Sequence, residues 1–275
     1  MQPHPLPDKS AEKRRRPRTG VCSVTLRKRS PADVIHRAVT AGLKSIEWAS
    51  DVHVPPGDLE LAGVIGRQTR AAGLAVASYG SDLRFPWSDP PGEQVHDIVA
   101  TAVALGAPRI RIWAGPTPSG QTAPEERTRT THAIATICQT ASDAGLRVAL
   151  EFHLGTLTDT ADSTLQLLGD LGTDIASTYW QPRVEATDLE AIEDLKQLGD
   201  GVSTLHVFSW GARFERYALD AREQMWRAAT LEAVRMANIT DLLLEFLPDD
   251  DASLPTSEAR ILKGWLDDAM EKSIL

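Results

Sequence analysis

Two glutamates stand where apolar chain would be expected to continue. Glu151 ends Val148-Ala149-Leu150-Glu151 and Glu245 ends Leu242-Leu243-Leu244-Glu245, and a phenylalanine follows each. A carboxylate at the end of a buried run is costly unless it is paired, protonated or bound to a metal. His206, within Leu205-His206-Val207, and Glu47, within Ile46-Glu47-Trp48, interrupt two further apolar runs. Between Glu151 and His206 the chain offers Gln181, whose amide oxygen is a neutral ligand for a hard cation. Two carboxylates, one imidazole and one amide oxygen make a donor set for a single divalent metal, Mn²⁺ first and Mg²⁺, Co²⁺ or Zn²⁺ as alternatives. Metal beside two carboxylates points to proton abstraction from a carbon next to a carbonyl, with the enediolate stabilised by the cation. His153 lies two residues beyond Glu151, so on the same face of a strand, where it could serve a substrate hydroxyl or an elimination.

These residues need a scaffold that brings distant strands to one rim. From Val21 onward a short apolar run, a polar loop and a helical segment alternate, which is the pattern of βα units and a parallel sheet. The expected strands are Val21–Leu26, Lys44–Trp48, Leu74–Tyr79, Arg109–Trp113, Leu146–His153, Ile175–Trp180, Val202–Val207 and Leu242–Phe246. Ser30-Pro31 and Asp58 supply helix starts, and Gly42, Gly73, Gly106 and Gly145 supply helix ends. Eight such units in 275 residues predict one closed (β/α)8 barrel, an α/β fold, over residues 21–275. No Gly-x-Gly-x-x-Gly follows the first strand, which argues against a dinucleotide fold. Glu47, Glu151, His206 and Glu245 all fall at carboxyl-terminal strand ends, the end that carries active sites in barrels.

The remaining composition narrows the classes. A net charge of −9 opposes general affinity for nucleic acid, and two cysteines, Cys22 and Cys138, outside any Cys-x-x-Cys spacing make neither a disulfide scaffold nor a thiolate zinc site. No apolar run has the length of a membrane span, so a soluble cytoplasmic protein is expected. Residues 1–20, rich in Pro, Lys and Arg, read as a disordered basic tail. Trp48, Trp113, Trp180 and Trp210 near strand ends could stack on sugar rings, and Arg111 or Arg213 could hold a phosphate or hydroxyl.

The sequence resembles the xylose isomerase-like barrel superfamily of sugar isomerases and epimerases, ketose 3-epimerases, inosose dehydratases and the type IV endonucleases. The motifs are Val148-Ala149-Leu150-Glu151-Phe152-His153 with Gly155-Thr156-Leu157-Thr158, Leu205-His206-Val207-Phe208 and Leu243-Leu244-Glu245-Phe246. The resemblance implies four ligands from strands five to eight: Glu151, Gln181, His206 and Glu245, with Gln181 standing where an aspartate is usual. It implies further that Glu151 and Glu245 flank the reacting carbon and move the proton, with His153 beside them. Among mouth residues it implies substrate contacts for Glu47, His53, Trp113, Arg111 and Trp210. The implied activity is a metal-dependent isomerase or epimerase of carbohydrate metabolism with a small sugar or polyol substrate, often as a homo-oligomer. The alternatives are a lyase on the same fold, either a keto-polyol dehydratase or a 3-keto-glycoside eliminating enzyme, and a degenerate barrel that binds sugar without turnover. The endonuclease reading is the weaker one: no histidine follows in Pro182-Arg183-Val184-Glu185, and no Asp-x-His pair follows His206.

Overall fold

The βα alternation resolves, in a computed structural model describing residues 16–84, 92–172, 175–248 and 256–273, into eight parallel strands. They are β1 (Arg18–Cys22), β2 (Ser45–Ala49), β3 (Ala75–Gly80), β4 (Arg109–Ile112), β5 (Arg147–Leu150), β6 (Ala176–Trp180), β7 (Val202–Val207) and, after a small hairpin of β8 (Ser209–Trp210) with β9 (Arg216–Tyr217), β10 (Asp241–Leu244). They close in the order β1-β10-β7-β6-β5-β4-β3-β2, a complete barrel. Outside it run α1 (Pro31–Thr40), α2 (Leu59–Ala71), α3 (Glu93–Leu105), α4 (Pro124–Asp143), α5 (Ala161–Leu171), α6 (Asp188–Leu198), α7 (Glu223–Arg235) and α8 (Thr256–Lys272). The (β/α)8 expectation is met. No helix among the described residues is long and apolar enough to cross a membrane.

Local chemistry accounts for the boundaries. Ser30 accepts the amide of Asp33 with Pro31 in the first turn of α1, and Asp58 accepts the amide of Leu61 at the start of α2. Thr187 and Glu190 form a reciprocal capping box at α6. Gly106 ends α3 in the left-handed region, at φ 75°.

The first strand differs from expectation. It starts at Arg18 rather than Val21 and stops at Cys22, and Ser23–Leu26 coils into a 3-10 turn. Arg18, Thr19 and Gly20, read as the end of a tail, are therefore barrel residues that pair with Asp241, Leu242 and Leu243 of β10. Arg18 is held because its guanidinium grips Asp241 through two bonds of 2.8 and 2.7 Å. Ser23 leaves the ladder because its hydroxyl instead accepts the amide of Ala49. Residues 1–15 of the expected tail lie outside the described residues, as do Pro86, Pro90 and Pro91 of the loop expected after the third strand. The loop after β7, expected to be simply polar, contains the β8–β9 hairpin.

Side chains alternate across each strand, and the two faces differ in kind. The outward faces (Ile46, Trp48, Ile110, Ile112, Val148, Leu150, Leu205, Val207) join the helices in one large apolar core. The inward faces are polar at both ends. Arg18, Ser45, Arg109, Thr204 and Asp241 occupy the amino-terminal end, and Glu47, Arg111, Glu151, His206 and Glu245 the carboxyl-terminal end. Cys22, Ala77 and Leu243 form a small separate apolar cluster. A barrel interior filled by charges rather than branched apolar residues must satisfy those charges internally, and that requirement shapes the site above.

Candidate functional site

Five strands converge on His206. Its Nδ1 lies 3.2 Å from Oε1 of Gln181, 3.3 Å from Oε2 of Glu245 and 3.9 Å from Oε1 of Glu151. Its Nε2 faces Oε1 of Glu47 at 3.5 Å, too long for a hydrogen bond. The ring is fully enclosed, with Tyr179 set edge-on at 5.0 Å. Strand register explains the convergence: His206 pairs with Leu243, so Glu245 stands one inward position higher on β10, and Gln181 follows Tyr179 by two on β6. The structure therefore brings together the four residues expected as ligands.

Arg111 lines the mouth cavity, with its guanidinium already engaged by carboxylates. Rather than projecting a free guanidinium at substrate, it inserts between two glutamates. Nη1 lies 2.7 Å from Oε2 of Glu151, an ion pair whose alignment misses that of a hydrogen bond, and Nη2 lies 3.5 Å from Oε1 of Glu47. Ser78 donates to the other oxygen of Glu47 at 2.6 Å. Glu47 is thus a buried member of a network under the cavity, with His206 and Arg111 as neighbours. Gly80 makes the arrangement possible, because a Cβ there would sit 2.9 Å from Nη2 of Arg111 and 2.9 Å from Oε1 of Glu47. Both are side-chain ends, yet Glu151 holds one and Ser78 the other. Gly80→Ala should therefore cost about 1–3 kcal/mol in urea unfolding, the usual range for overpacking. A loss below about 0.5 kcal/mol would show that the pair swings aside freely.

The charges set each other's protonation. Burial opposes ionisation of Glu47, but the Arg111 guanidinium, then His206 and Ser78, outweigh it and hold the carboxyl well below the usual range. Burial likewise opposes the charged form of His206, yet Glu245, then Glu47 and Glu151, push its pKa up. Glu245 moves up, chiefly through burial and then through repulsion by Glu151. Burial raises the Cys22 thiol well above its ordinary value.

Cys22 is the functional candidate that the sequence reading missed. Cys22, Glu47 and His206 each place a ligand atom within 4.8 Å of the others, all buried, so this trio could hold a metal ion. His206 thus joins two donor sets, one with Glu47 and Cys22, the other with Gln181, Glu245 and Glu151. The second fits a divalent cation in its donor chemistry, and its three oxygens lie 3.2–3.9 Å from Nδ1, but among the described residues it is the first set, not Glu151, His206 and Glu245, that brings every ligand atom within 4.8 Å of the others.

Above this network opens a cavity of about 320 Å³ lined by Arg111, Glu151, Glu245, His153, Trp113 and Trp210, among others. Thr158 fixes the end of β5 by donating to the Glu151 carbonyl at 2.5 Å, and Thr156 donates to the His153 carbonyl, which is the work of the Gly155–Thr158 loop. His153 Nδ1 donates to the Leu154 carbonyl at 2.6 Å, leaving Nε2 as the acceptor of the neutral ring, and the ring lies 4.2 Å from Trp113. Phe246 turns the chain after Glu245 at φ 45°, a left-handed conformation uncommon outside glycine, and sets its ring 5.2 Å from Trp210. Arg84 stacks over Trp113 at 3.4 Å.

Some expected mouth residues lie elsewhere. His53 is buried with both ring nitrogens engaged, Nδ1 by the Ser23 hydroxyl and Nε2 by the Arg29 carbonyl, and it does not reach the cavity. Trp48 and Trp180 are fully buried against helices, bonded to Thr69 of α2 and stacked edge-on with Trp226 of α7. Arg213 lies on the exposed hairpin turn, its amide held by Glu215.

Comparison with known proteins places this geometry in context. A sequence profile described as xylose isomerase-like TIM barrel matches residues 35–181, more than half of the chain. No curated protein matches by sequence. Among solved structures, the probable 3-DHS dehydratase AsbF of Bacillus anthracis is similar at 19% identity and TM-score 0.67, covering 92% of this chain and 98% of that one. A D-psicose 3-epimerase is similar at 13% identity and TM-score 0.63, covering 93% and 98%. A protein of Mycobacterium smegmatis solved with magnesium is similar at 13% identity and TM-score 0.65, covering 92% and 97%. At these identities the likeness concerns the fold.

Proposed function

The chain belongs to the xylose isomerase-like TIM barrel family, which includes epimerases and dehydratases, and from that premise we propose that it is a metal-dependent isomerase or epimerase of a small sugar or polyol. The observation that carries the reading is that Glu151 and Glu245 reach one cavity from β5 and β10 while both face the same imidazole nitrogen. Glu151, Gln181, His206 and Glu245 would hold one divalent cation, Mn²⁺ or a similar hard ion. Bound there, it would supply Lewis acidity that lowers the pKa of a C–H beside a substrate carbonyl.

The protein's own groups do the rest. One of the two glutamates takes the proton and the other returns it on the opposite face of the carbon. Arg111 keeps one oxygen of Glu151 turned aside, which leaves the other oxygen toward His206. Trp113, already stacked by Arg84, and Trp210 line the cavity with aromatic surface, and a volume near 320 Å³ suits a monosaccharide. Gln181 in place of a carboxylate removes one negative charge from the ligand set, so affinity for the ion should be modest.

The test is deuterium incorporation from D2O into a panel of keto-sugars and inososes, with and without added Mn²⁺. Exchange at a carbon next to the carbonyl, dependent on the metal, is the expected result. Less than about a tenth of an equivalent of bound metal, no gain on adding Mn²⁺ and no exchange would defeat the reading and leave a sugar-binding barrel without turnover. A lyase is the second reading, favoured by His153, whose Nε2 is left as an acceptor beside the cavity and could take the proton as the base of an elimination. Loss of water or of an aglycone in the product mass separates it from epimerisation, which conserves mass.

A further inference from the structure

The amino-terminal end of the barrel has a second polar concentration that the chemistry at the mouth does not use. A cavity of about 480 Å³ opens there, and Arg109 and Arg147 both line it. The two arginines are register partners on β4 and β5, so their side chains leave the sheet on the same face. Arg109 is only 9% exposed. It donates to the Thr204 hydroxyl at 3.1 Å, the Ser203 carbonyl at 3.3 Å and the Thr240 hydroxyl at 2.8 Å, and all three acceptors are uncharged. Among the described residues, neither arginine has a carboxylate oxygen within 4.0 Å. Asp200 also lines the cavity, beyond that distance from both. Asp241 stands one hydroxyl away, through Thr240, but Arg18, Ser45 and Thr240 already engage its oxygens.

A guanidinium 9% exposed and bonded to uncharged acceptors bears a desolvation cost that no carboxylate in contact with it offsets. This end of a barrel ordinarily serves stability, and a purely structural arginine would be paired there with a carboxylate, as Arg18 is. The cavity wall also has an apolar part, with Leu168 and Ile175, the latter 44% exposed. We propose that this cavity binds the phosphate group of a small organic anion. Arg109 and Arg147 present their forks to the phosphate oxygens, Ser177 adds a hydroxyl, and the apolar wall takes the organic remainder. The site is separate from the one at the mouth and independent of the reaction assigned there.

Inorganic phosphate is the probe, titrated into the full chain at constant ionic strength against chloride, with Tm as the readout. A saturable rise in Tm is expected for the wild type, with at least tenfold weaker half-saturation in Arg147→Gln, whose exposed side chain the fold does not need. Ile175→Glu, which sets a competing carboxylate at the cavity while both arginines remain, should give the same loss. Arg84→Gln at the mouth should leave the response intact. The proposal is overturned if phosphate does no more than chloride, if Arg147→Gln and Ile175→Glu titrate like the wild type, or if Arg84→Gln alone removes the effect.

Discussion

Replacing Glu151 by Gln should lower metal-dependent deuterium exchange by about 10²–10⁴-fold, the span usually lost with a general acid or base. Glu245→Gln should do the same. The two variants differ informatively because their surroundings differ. Glu151 is ion-paired with Arg111 at 2.7 Å, whereas Glu245 has His206 at 3.3 Å as its neighbour. Gln at 151 keeps the shape but leaves Arg111, 11% exposed, with Glu47 alone at 3.5 Å. That variant should therefore lose stability as well as exchange, by about 3–5 kcal/mol if the partner is left uncompensated. Glu245→Gln breaks no arginine pair and should unfold near the wild-type midpoint. Metal content measured on both variants separates loss of proton transfer from loss of the ion. Exchange persisting in both variants at wild-type rate would remove the two glutamates from the acid–base role.

The glutamates were legible because a carboxylate within an apolar run is conspicuous whatever surrounds it. Alternation along a strand carried more information than the expectation used. Since Glu47 points into the barrel, Trp48 next to it must point out, and the same parity sends Trp180 outward beside Gln181. Trp113 shares parity with Arg111 and does line the cavity. Cys22 obeys the rule too, being register partner to the inward Glu47, but its lack of metal-motif spacing hid it. What alternation could not supply was the partner across the barrel. That Arg111 meets Glu47 and Glu151, rather than a ligand, depends on strand stagger and on a missing Cβ at Gly80, both set by the closed sheet. His53 shows the same limit, since one partner, Ser23, comes from the turn after β1 that the sequence presented as strand, and the other, Arg29, from the loop beyond it. The start of β1 was hidden for a related reason. Arg-Thr-Gly has no strand signal of its own, and only Asp241, more than two hundred residues away, makes Arg18 part of a sheet.

That pairing sets a second large expected change in stability. Asp241 is fully buried at the seam where β1 meets β10, and four donors converge on it: Nε and Nη2 of Arg18, the Ser45 hydroxyl at 2.7 Å and the Thr240 hydroxyl at 2.7 Å. Asp241→Ala leaves all four without their acceptor. Breaking a buried pair by removing one partner typically costs about 3–5 kcal/mol, and the partial exposure of Arg18, 31% for its side chain, places this case near the lower end. Urea unfolding at pH 7 should therefore show a loss of about 3 kcal/mol, and a loss below about 1 kcal/mol would mean that the seam is held by backbone pairing alone. The acid limb gives an independent check. Burial by itself would raise the Asp241 pKa, but the Arg18 hydrogen bonds and charge, with Ser45 and Thr240, bring it below its ordinary value. A carboxylate with a depressed folded pKa contributes stability above its unfolded pKa, about 3.9, and loses that contribution as pH falls through the folded value. Wild type should thus weaken below about pH 4 more steeply than Asp241→Asn, which has no proton to take up at this position. Parallel acid limbs for the two proteins would show that the charge of Asp241 contributes nothing to closing the barrel.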